Sequence, residues 1–161
     1  MGRRGAELTL VTTIISGGQS GVDRAALDVA LQLNLACRGW CPRGRLSEKG
    51  PIPKRYPLNE TPSADPAQRT EWNVRDADAT LILAAGVLAG GTALARDLAI
   101  RQEKPHLVVD PTGAAVTAVA DIRQWLDARQ IQILNVAGPR EGASPGIYDA
   151  ATKLLHAVLA G

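Results

Sequence analysis

Two glycine-rich segments carry the residue types that bind phosphate. The first is SGGQSG at residues 16–21, directly after the β-branched run TTIIS, and the second is AGGT at residues 89–92. Glycines leave the backbone N–H groups of a turn open to a ligand and tolerate positive φ. Where the turn leads into a helix, free N–H groups and the helix dipole favour an anion. Each segment therefore predicts a phosphate-binding junction, or else a tight turn that only lets a helix pack on its strand.

The spacing of the first segment differs from two familiar nucleotide motifs. It is neither the GxGxxG of dinucleotide-binding domains nor a P-loop ending in GK[ST]. Backbone N–H groups would then do most of the binding, with side-chain hydroxyl and amide groups adding hydrogen bonds. The candidate binding residues of this segment are Ser16, Gly17, Gly18, Gln19, Ser20 and Gly21.

The second segment repeats the arrangement, and a third loop resembles both. Gly90 and Gly91 expose backbone, and Thr92 is predicted to cap the helix that follows. If the strands around Ile14 and Ile82 are neighbours, both helix N-termini face one crevice. The third loop, after the run IQILNVA, is either a binding loop whose arginine forks onto an anion or a surface turn. Its candidate residues are Asn135, Gly138, Arg140, Glu141 and Ser144.

A helix over AQRTEWNVRDA offers further candidates. Arg69, Trp72 and Asn73 share one face, because residues three and four apart are neighbours on a helix. Arg69 is either a ligand clamp or the partner of a nearby acid such as Asp65. A basic stretch precedes this helix and would suit an anionic ligand, although such runs are usually solvated loops. It comprises Arg38, Arg43, Arg45, Lys49, Lys54 and Arg55.

The elements that must position these loops alternate between strand and helix. Strands are predicted at residues 12–16, 35–40, 58–60, 79–85, 106–110 and 131–137, with helices at 22–34, 67–77, 93–103, 114–129 and 148–159. Such alternation predicts right-handed βαβ units. We expect an α/β fold: a Rossmann-like three-layer domain with a mostly parallel sheet and helices on both faces. Residues 12–161 would form this single domain, after an N-terminal extension at residues 1–11.

Composition excludes several other classes. The net charge of +2 does not favour a nucleic-acid partner. No apolar run reaches the length of a membrane span, and the N-terminal segment lacks the pattern of a secretory leader. Cys37 and Cys41 are too close together to staple the domain, so we expect reduced, buried thiols and a cytoplasmic location. His106 and His156 are expected to be structural.

The ordered series of motifs resembles a known family. SGGQSGVDRAALD, TPSADPAQRTEWNVRDADATLIL, AGGTALA, KPHLVVD and LNVAGPREGASPGI together cover nearly the whole chain. In this order they resemble the molybdenum carrier (molybdenum cofactor carrier) proteins, which belong to a Rossmann-like group that includes the LOG-type, lysine-decarboxylase-like nucleotide hydrolases. QRTEWNVRDAD is the most discriminating piece, because the glycine loops are shared with many relatives.

The resemblance implies binding and protection of molybdenum cofactor, a phosphorylated pterin that holds molybdenum, by a homo-oligomer that hands it to molybdoenzymes. Asp23 would cap its helix or bond a sugar or pterin edge, and Arg24 would reach a phosphate, unless both only complement the helix terminus. LOG-type hydrolases carry an acid shortly after their GGT turn, whereas here the first acid after Thr92 is Asp97. This departure favours a carrier without turnover; the alternatives are a LOG-related phosphoribohydrolase and a nucleotide sensor.

Overall fold

The computed structural model describes residues 10–160. Within them, helices and strands alternate as the sequence pattern predicts. In chain order the elements are β1 (Thr13–Ile15), α1 (Val22–Gln32), β2 (Ala36–Arg38), β3 (Trp40–Cys41), β4 (Asn59–Glu60), α2 (Pro66–Asp76), β5 (Ala79–Leu83), α3 (Gly90–Arg101), β6 (His106–Val109), α4 (Ala115–Ala128), β7 (Ile133–Ala137) and α5 (Ile147–Leu159).

The central sheet has five parallel strands in the order β2-β1-β7-β5-β6. Helix α5 packs on α1 and α4, whereas α2 packs on α3, so helices flank the sheet as a three-layer α/β fold. The predicted fold class is confirmed. The strands around Ile14 and Ile82 are not neighbours, because β7, the last strand of the chain, is inserted between them.

Burial explains why the central strands form where they do. All five residues of β5 are buried, as expected for a parallel strand covered on both faces. Leu81 and Leu134 join Ile122 of α4 and Leu155 of α5 in the main core, each fully buried. Burying each such side chain contributes about 1.5–3 kcal/mol. Val11 also belongs to this core, whereas residues 1–9 of the predicted extension lie outside the described residues.

The predicted strand at residues 35–40 is wrong in its extent, because it divides at Gly39. A Cβ at Gly39 would lie 2.1 Å from Ser16 O, so the chain passes directly against the first glycine loop there. After this point the chain leaves the central sheet, and β3 pairs in parallel with β4 in a second, two-stranded sheet.

The segment between β3 and β4, residues 42–58, has its own packing, although basic runs such as the one it carries are usually solvated loops. Arg45 donates hydrogen bonds to the backbone oxygens of Ile52, Pro53, Tyr56 and Leu58 at 2.8–3.1 Å. Ile52, Tyr56 and Leu58 form a small apolar core beneath it. We refer to residues 42–58 as the excursion. No helix among residues 10–160 is long and apolar enough to cross a membrane.

Candidate functional site

Three loops meet at the carboxyl edge of the central sheet. They follow β1 (residues 16–21), β5 (residues 84–89) and β7 (residues 138–146), and each leads into a helix. Because β1, β7 and β5 are adjacent and parallel, their loops enclose one cleft of about 500 Å³. Clefts of this size at the carboxyl ends of parallel strands are the usual ligand sites of open α/β sheets.

A buried acid and an arginine face each other across one wall of this cleft. Asp23, in the first turn of α1, is 3% exposed. Its Oδ2 accepts hydrogen bonds from Gln19 N at 3.3 Å and from Arg69 Nη1 at 3.4 Å, which is long for an ion pair. Its Oδ1 accepts none from the described residues, and the buried Nε of Arg69 has no partner among them. Both side chains therefore retain hydrogen-bonding capacity toward a ligand.

Burial dominates the electrostatics of Asp23. Desolvation raises the pKa of its carboxyl to about 6, although Arg69, the N–H of Gln19 and Arg24 each act to lower it. The carboxylate is thus ionised at neutral pH but gains a proton in mildly acidic solution. The other described residues that form this wall are Gly17, Pro66, Thr70 and Asn73. None of them is acidic, so no second carboxyl there interacts with Asp23.

The second glycine loop presents the start of α3 to the cleft without a cap. The N-cap residue is Ala89, and no side chain accepts from the first turn; the prediction that Thr92 caps this helix is therefore wrong. The first backbone hydrogen bond runs from Ala93 N to Ala89 O at 3.2 Å, so the N–H groups before it have no helical partner. Gly90 takes a left-handed φ of 53°, which glycine adopts without strain.

Beside these N–H groups the cleft has an apolar wall. Val87 is 96% exposed at its mouth, and Leu88 and Ala95 line it further in. An apolar surface on one side and the Asp23–Arg69 pair on the other suit a flat heterocycle that carries polar edges.

Residues 14–159 match the model of a family described as "Circularly permutated YpsA SLOG family". This range includes all three cleft loops and both residues of the Asp23–Arg69 pair. The chain belongs to this SLOG family.

The SLOG domain is also similar to a solved structure. A crystal structure of a protein from Syntrophus aciditrophicus SB, described as "Putative molybdenum carrier protein", is 45% identical in sequence, with a TM-score of 0.91. The match covers 94% of this chain and 96% of that one. Among curated proteins none matches the chain. The resemblance read from the motifs is confirmed.

Twelve of the eighteen candidate residues line the cleft of this SLOG domain. They come from the first and third loops, from β7, and from the helices α1, α2 and α3, regions that are far apart in sequence. These twelve are Gly17, Gln19, Asp23, Arg69, Asn73, Gly90, Gly91, Thr92, Asn135, Gly138, Arg140 and Ser144.

The two asparagines among the twelve are already engaged in the fold. The Asn73 side chain accepts from Trp40 N at 2.8 Å and donates to Trp40 O at 3.0 Å, so it ties α2 to β3. The Nδ2 of Asn135 donates to Thr80 Oγ1 at 3.2 Å, whereas its Oδ1 accepts nothing from the described residues. Asn135 is the better placed of the two for a ligand.

Among the six candidates outside the lining, three shape the first loop from behind. Ser16 Oγ donates to Asp23 O at 2.8 Å and accepts from Gly18 N at 3.2 Å. Arg24 donates to Gly18 O through Nε and Nη2 at 3.2 and 2.9 Å, and its guanidinium lies 5.1 Å from the Tyr56 ring centroid. Arg24 therefore holds the loop, which differs from the expectation that it reaches a phosphate.

The other three, Ser20, Gly21 and Glu141, join the first loop to the third. A Cβ at Gly21 would lie 2.4 Å from Pro139 O, so only glycine fits there. Glu141 N donates to Ser20 Oγ at 3.0 Å. The Glu141 carboxylate caps α5 by accepting from Gly146 N at 2.6 Å and Tyr148 N at 3.0 Å, which lowers its pKa.

The basic stretch does not line the cleft. Arg45 is used inside the excursion, and Arg55 stacks 4.6 Å from the Tyr56 ring centroid while donating to its hydroxyl. Arg43, Lys49 and Lys54 are exposed, which agrees with a solvated loop.

The two cysteines are free. Cys41 is fully buried in the apolar core of the excursion and Cys37 is half-buried, and desolvation raises the pKa of both thiols. Across residues 10–160, no group of three or more His, Cys, Asp or Glu side chains is arranged to hold a metal ion.

Sequence reasoning missed part of the α2 wall. Pro66 and Thr70 line the cleft with Arg69 and Asn73. These four positions are i, i+4, i+3 and i+7 of one helical face, so choosing Arg69 and Asn73 already indicated the other two. Glu48, which contacts the first and third loops, had no such signal, because its partner Arg140 is 92 residues away.

Proposed function

We propose that the cleft binds molybdenum cofactor and protects and transfers it without chemical change. The observation that carries this proposal is one cleft with an uncapped helix start on one side and a loosely paired acid and arginine on the other. The similarity to a protein described as a molybdenum carrier supports the choice of ligand.

In this proposal the two sides of the cleft have different tasks. The N–H groups of Gly90, Gly91 and Thr92, together with Arg140, would bind the terminal phosphate. Asp23 and Arg69 would hydrogen-bond the polar edge of the pterin, while Leu88 would cover its face. The cofactor itself supplies the molybdenum and its dithiolene ligands, so the protein needs no metal ligands of its own.

The absence of an acidic residue shortly after the second glycine loop favours a carrier over a hydrolase. Thr92 is followed by Ala93, Leu94, Ala95 and Arg96, and the next residue, Asp97, is an exposed partner of Arg96 at 3.1 Å. Neither of these two charged side chains lines the cleft. The carrier proposal includes a cytoplasmic homo-oligomer that delivers the cofactor to molybdoenzymes, as the resemblance implies.

Equilibrium binding tests this function. Purified apo-protein is titrated with molybdenum cofactor, with AMP and ADP-ribose as competitors. We expect the cofactor to bind most tightly and Arg69→Gln to weaken it by about tenfold or more, since a charged hydrogen bond contributes about 1.5–3 kcal/mol. Arg101→Gln, an exposed arginine outside the cleft, is the matched control. Tight binding of the nucleotides without binding of the cofactor would refute the carrier.

One observation favours an enzyme as the second candidate. Asp23 is a cleft-lining carboxyl with a pKa of about 6, a value suited to general acid–base catalysis near neutral pH. A LOG-type reaction would add water across the bond between ribose and base, giving a free base and ribose 5-phosphate from a nucleoside monophosphate. Release of free base by the wild type, abolished in Asp23→Asn, would establish this activity, and no release under single-turnover conditions would exclude it.

A further inference from the structure

Glu48 stands in the exposed part of the excursion, yet its carboxylate connects the first and third cleft loops. Its Oε1 accepts from Arg140 Nε at 2.9 Å, and its Oε2 accepts from Gly142 N at 2.8 Å. Oε2 also accepts from Ser20 Oγ. Three donors from two loops thus surround one side chain that comes from a third segment.

The surroundings keep this carboxylate charged and in place. Hydrogen bonds from Ser20, Gly142 and Arg140 hold the pKa of the Glu48 carboxyl below its usual range, so it is ionised at neutral pH. A Cβ at Gly142 would lie 2.5 Å from Glu48 Oε1, so the carboxylate packs directly against the third loop. Two residues earlier, Leu46 O accepts from Gln19 Nε2 at 2.8 Å. Residues 46–48 therefore hold two cleft-lining side chains, Gln19 and Arg140.

The contact with Glu48 leaves the two terminal nitrogens of Arg140 free to bind a ligand. Only its Nε is engaged by Glu48, and its Nη1 and Nη2 donate to no described residue. The side chain is 59% exposed, so without Glu48 it would sample many rotamers in solvent. Fixing Nε reduces the rotamer freedom that Arg140 must lose when its two terminal nitrogens bind an anion.

We propose that Glu48 is the positioning residue that aims Arg140 at the phosphate of the ligand; this rests on the proposed function only in assuming that a phosphate enters the cleft. Glu48 touches no ligand itself. It raises phosphate affinity through geometry, even though its own negative charge repels an anion. Positioning of Arg140 increases the affinity for phosphate, whereas the charge of Glu48 decreases it. Whether removal of Glu48 weakens or strengthens phosphate binding therefore shows which effect dominates.

The experiment measures the binding of AMP and adenosine by calorimetry to the wild type, Glu48→Ala, Glu48→Gln, Arg140→Ala and the double variant Glu48→Ala/Arg140→Ala. We expect Glu48→Ala to weaken AMP binding roughly fivefold and to leave adenosine unchanged. In the Arg140→Ala background, removal of Glu48 should not weaken AMP binding further, because the residue to be positioned is gone. The loss of its negative charge should leave the AMP affinity equal or slightly higher. Glu71→Ala, which removes an exposed carboxylate outside the cleft, should change neither ligand.

A signal that needs no ligand accompanies these titrations. The Nε–H resonance of Arg140 should be protected from solvent exchange in the wild type and lost from that position in both Glu48 variants. Glu48→Gln provides the comparison if Glu48→Ala fails to fold, because it keeps an oxygen acceptor for Gly142 N but removes the charge paired with Arg140.

Every outcome of the titrations either supports or overturns the positioning role of Glu48. Equal or tighter AMP binding by the folded Glu48 variants would overturn the positioning role, since it would leave only the charge effect. Equal loss of AMP and adenosine would also overturn it, because that pattern indicates a collapsed loop. If the wild type binds AMP but not molybdenum cofactor, the proposed carrier function fails, and the Glu48 variants still decide this inference. If it binds the cofactor but not AMP, the same variants are compared in their binding of the cofactor. If it binds neither, both proposals fail.

Discussion

Replacing Asp23 by Asn should remove a pH dependence of stability that the buried carboxyl creates. Desolvation raises the pKa of this group from 3.8 to about 6 in the folded protein. Between these values the folded state holds a proton that the unfolded chain has released. The contribution of Asp23 to stability is therefore fully present below pH 3.8 and is lost as the pH rises through about 6.

The magnitude follows from the size of the pKa difference. The whole loss corresponds to about 3 kcal/mol, and about 2 kcal/mol of it falls between pH 4 and pH 7.5. Asn cannot ionise, so the free energy of unfolding of Asp23→Asn, minus that of the wild type, should increase by about 2 kcal/mol over this range. The cost of leaving Arg69 without its counter-charge does not alter this slope, because arginine stays protonated throughout.

Urea denaturation at pH 4, 5, 6 and 7.5 measures this difference, and an NMR titration of the Asp23 carboxyl carbon measures the pKa directly. Asp110→Asn is the control of opposite sign. Hydrogen bonds from Thr112 lower the pKa of Asp110, so its stabilisation is lost as the pH falls and its removal should not produce a rise. A flat difference for Asp23→Asn, or titration of Asp23 near 4, would refute the reasoning.

Three further substitutions test the loops and the excursion. Gly91→Val should abolish binding of molybdenum cofactor yet leave unfolding cooperative, since a Cβ there meets no described atom within 4 Å but obstructs the start of α3; calorimetry checks this against Gly113→Val outside the cleft, and retained binding would reduce the loop to a simple turn. Gly138→Ala should lower the free energy of unfolding by about 1–3 kcal/mol, because its Cβ would lie 2.4 Å from Leu83 O; denaturation with no loss would contradict that overlap. Arg45→Gln should cost about 2 kcal/mol or more by leaving backbone oxygens unpaired, and limited proteolysis should then cut within residues 42–58, whereas an unchanged digestion pattern would show that the excursion holds without it.

The layers of the fold were predictable because they depend on local pattern. The β-branched run before Ser16 and the apolar run of β5 both end at glycine, and each is followed by helical spacing, so strand, loop and helix are visible within one stretch of sequence. The order of strands was not visible. The last strand, β7, enters the middle of the sheet, and that depends on packing between segments more than a hundred residues apart.

The contrast between local pattern and long-range packing also explains which site residues the sequence revealed. Gly91 and Asp23 were found because each lies where a recognisable glycine-rich segment leads into a helix. The capping role given to Thr92 failed because the helix begins three residues earlier than predicted, at Gly90, where local propensity does not favour a start. The role of Arg24 depends on the direction in which its side chain points. Contacts with the carbonyl of Gly18 and the ring of Tyr56 direct it away from the cleft, and sequence spacing does not reveal these contacts.

The position of the carboxylates relative to the cleft distinguishes a protein that only binds its ligand from one that hydrolyses it. By resemblance, a LOG-type hydrolase would carry its acid on the helix that follows the second glycine loop, next to the phosphate-binding N–H groups. Here the cleft acid, Asp23, begins the helix after the first loop, and it is paired with Arg69. A carboxylate on that wall can bond the polar edge of a heterocycle, and with a pKa of about 6 only a minor fraction of it is protonated and able to donate a proton at pH 7.5. Any turnover of a bound nucleotide should therefore be slow at pH 7.5, and base release that increases toward pH 5 would show that Asp23 has taken over the missing role.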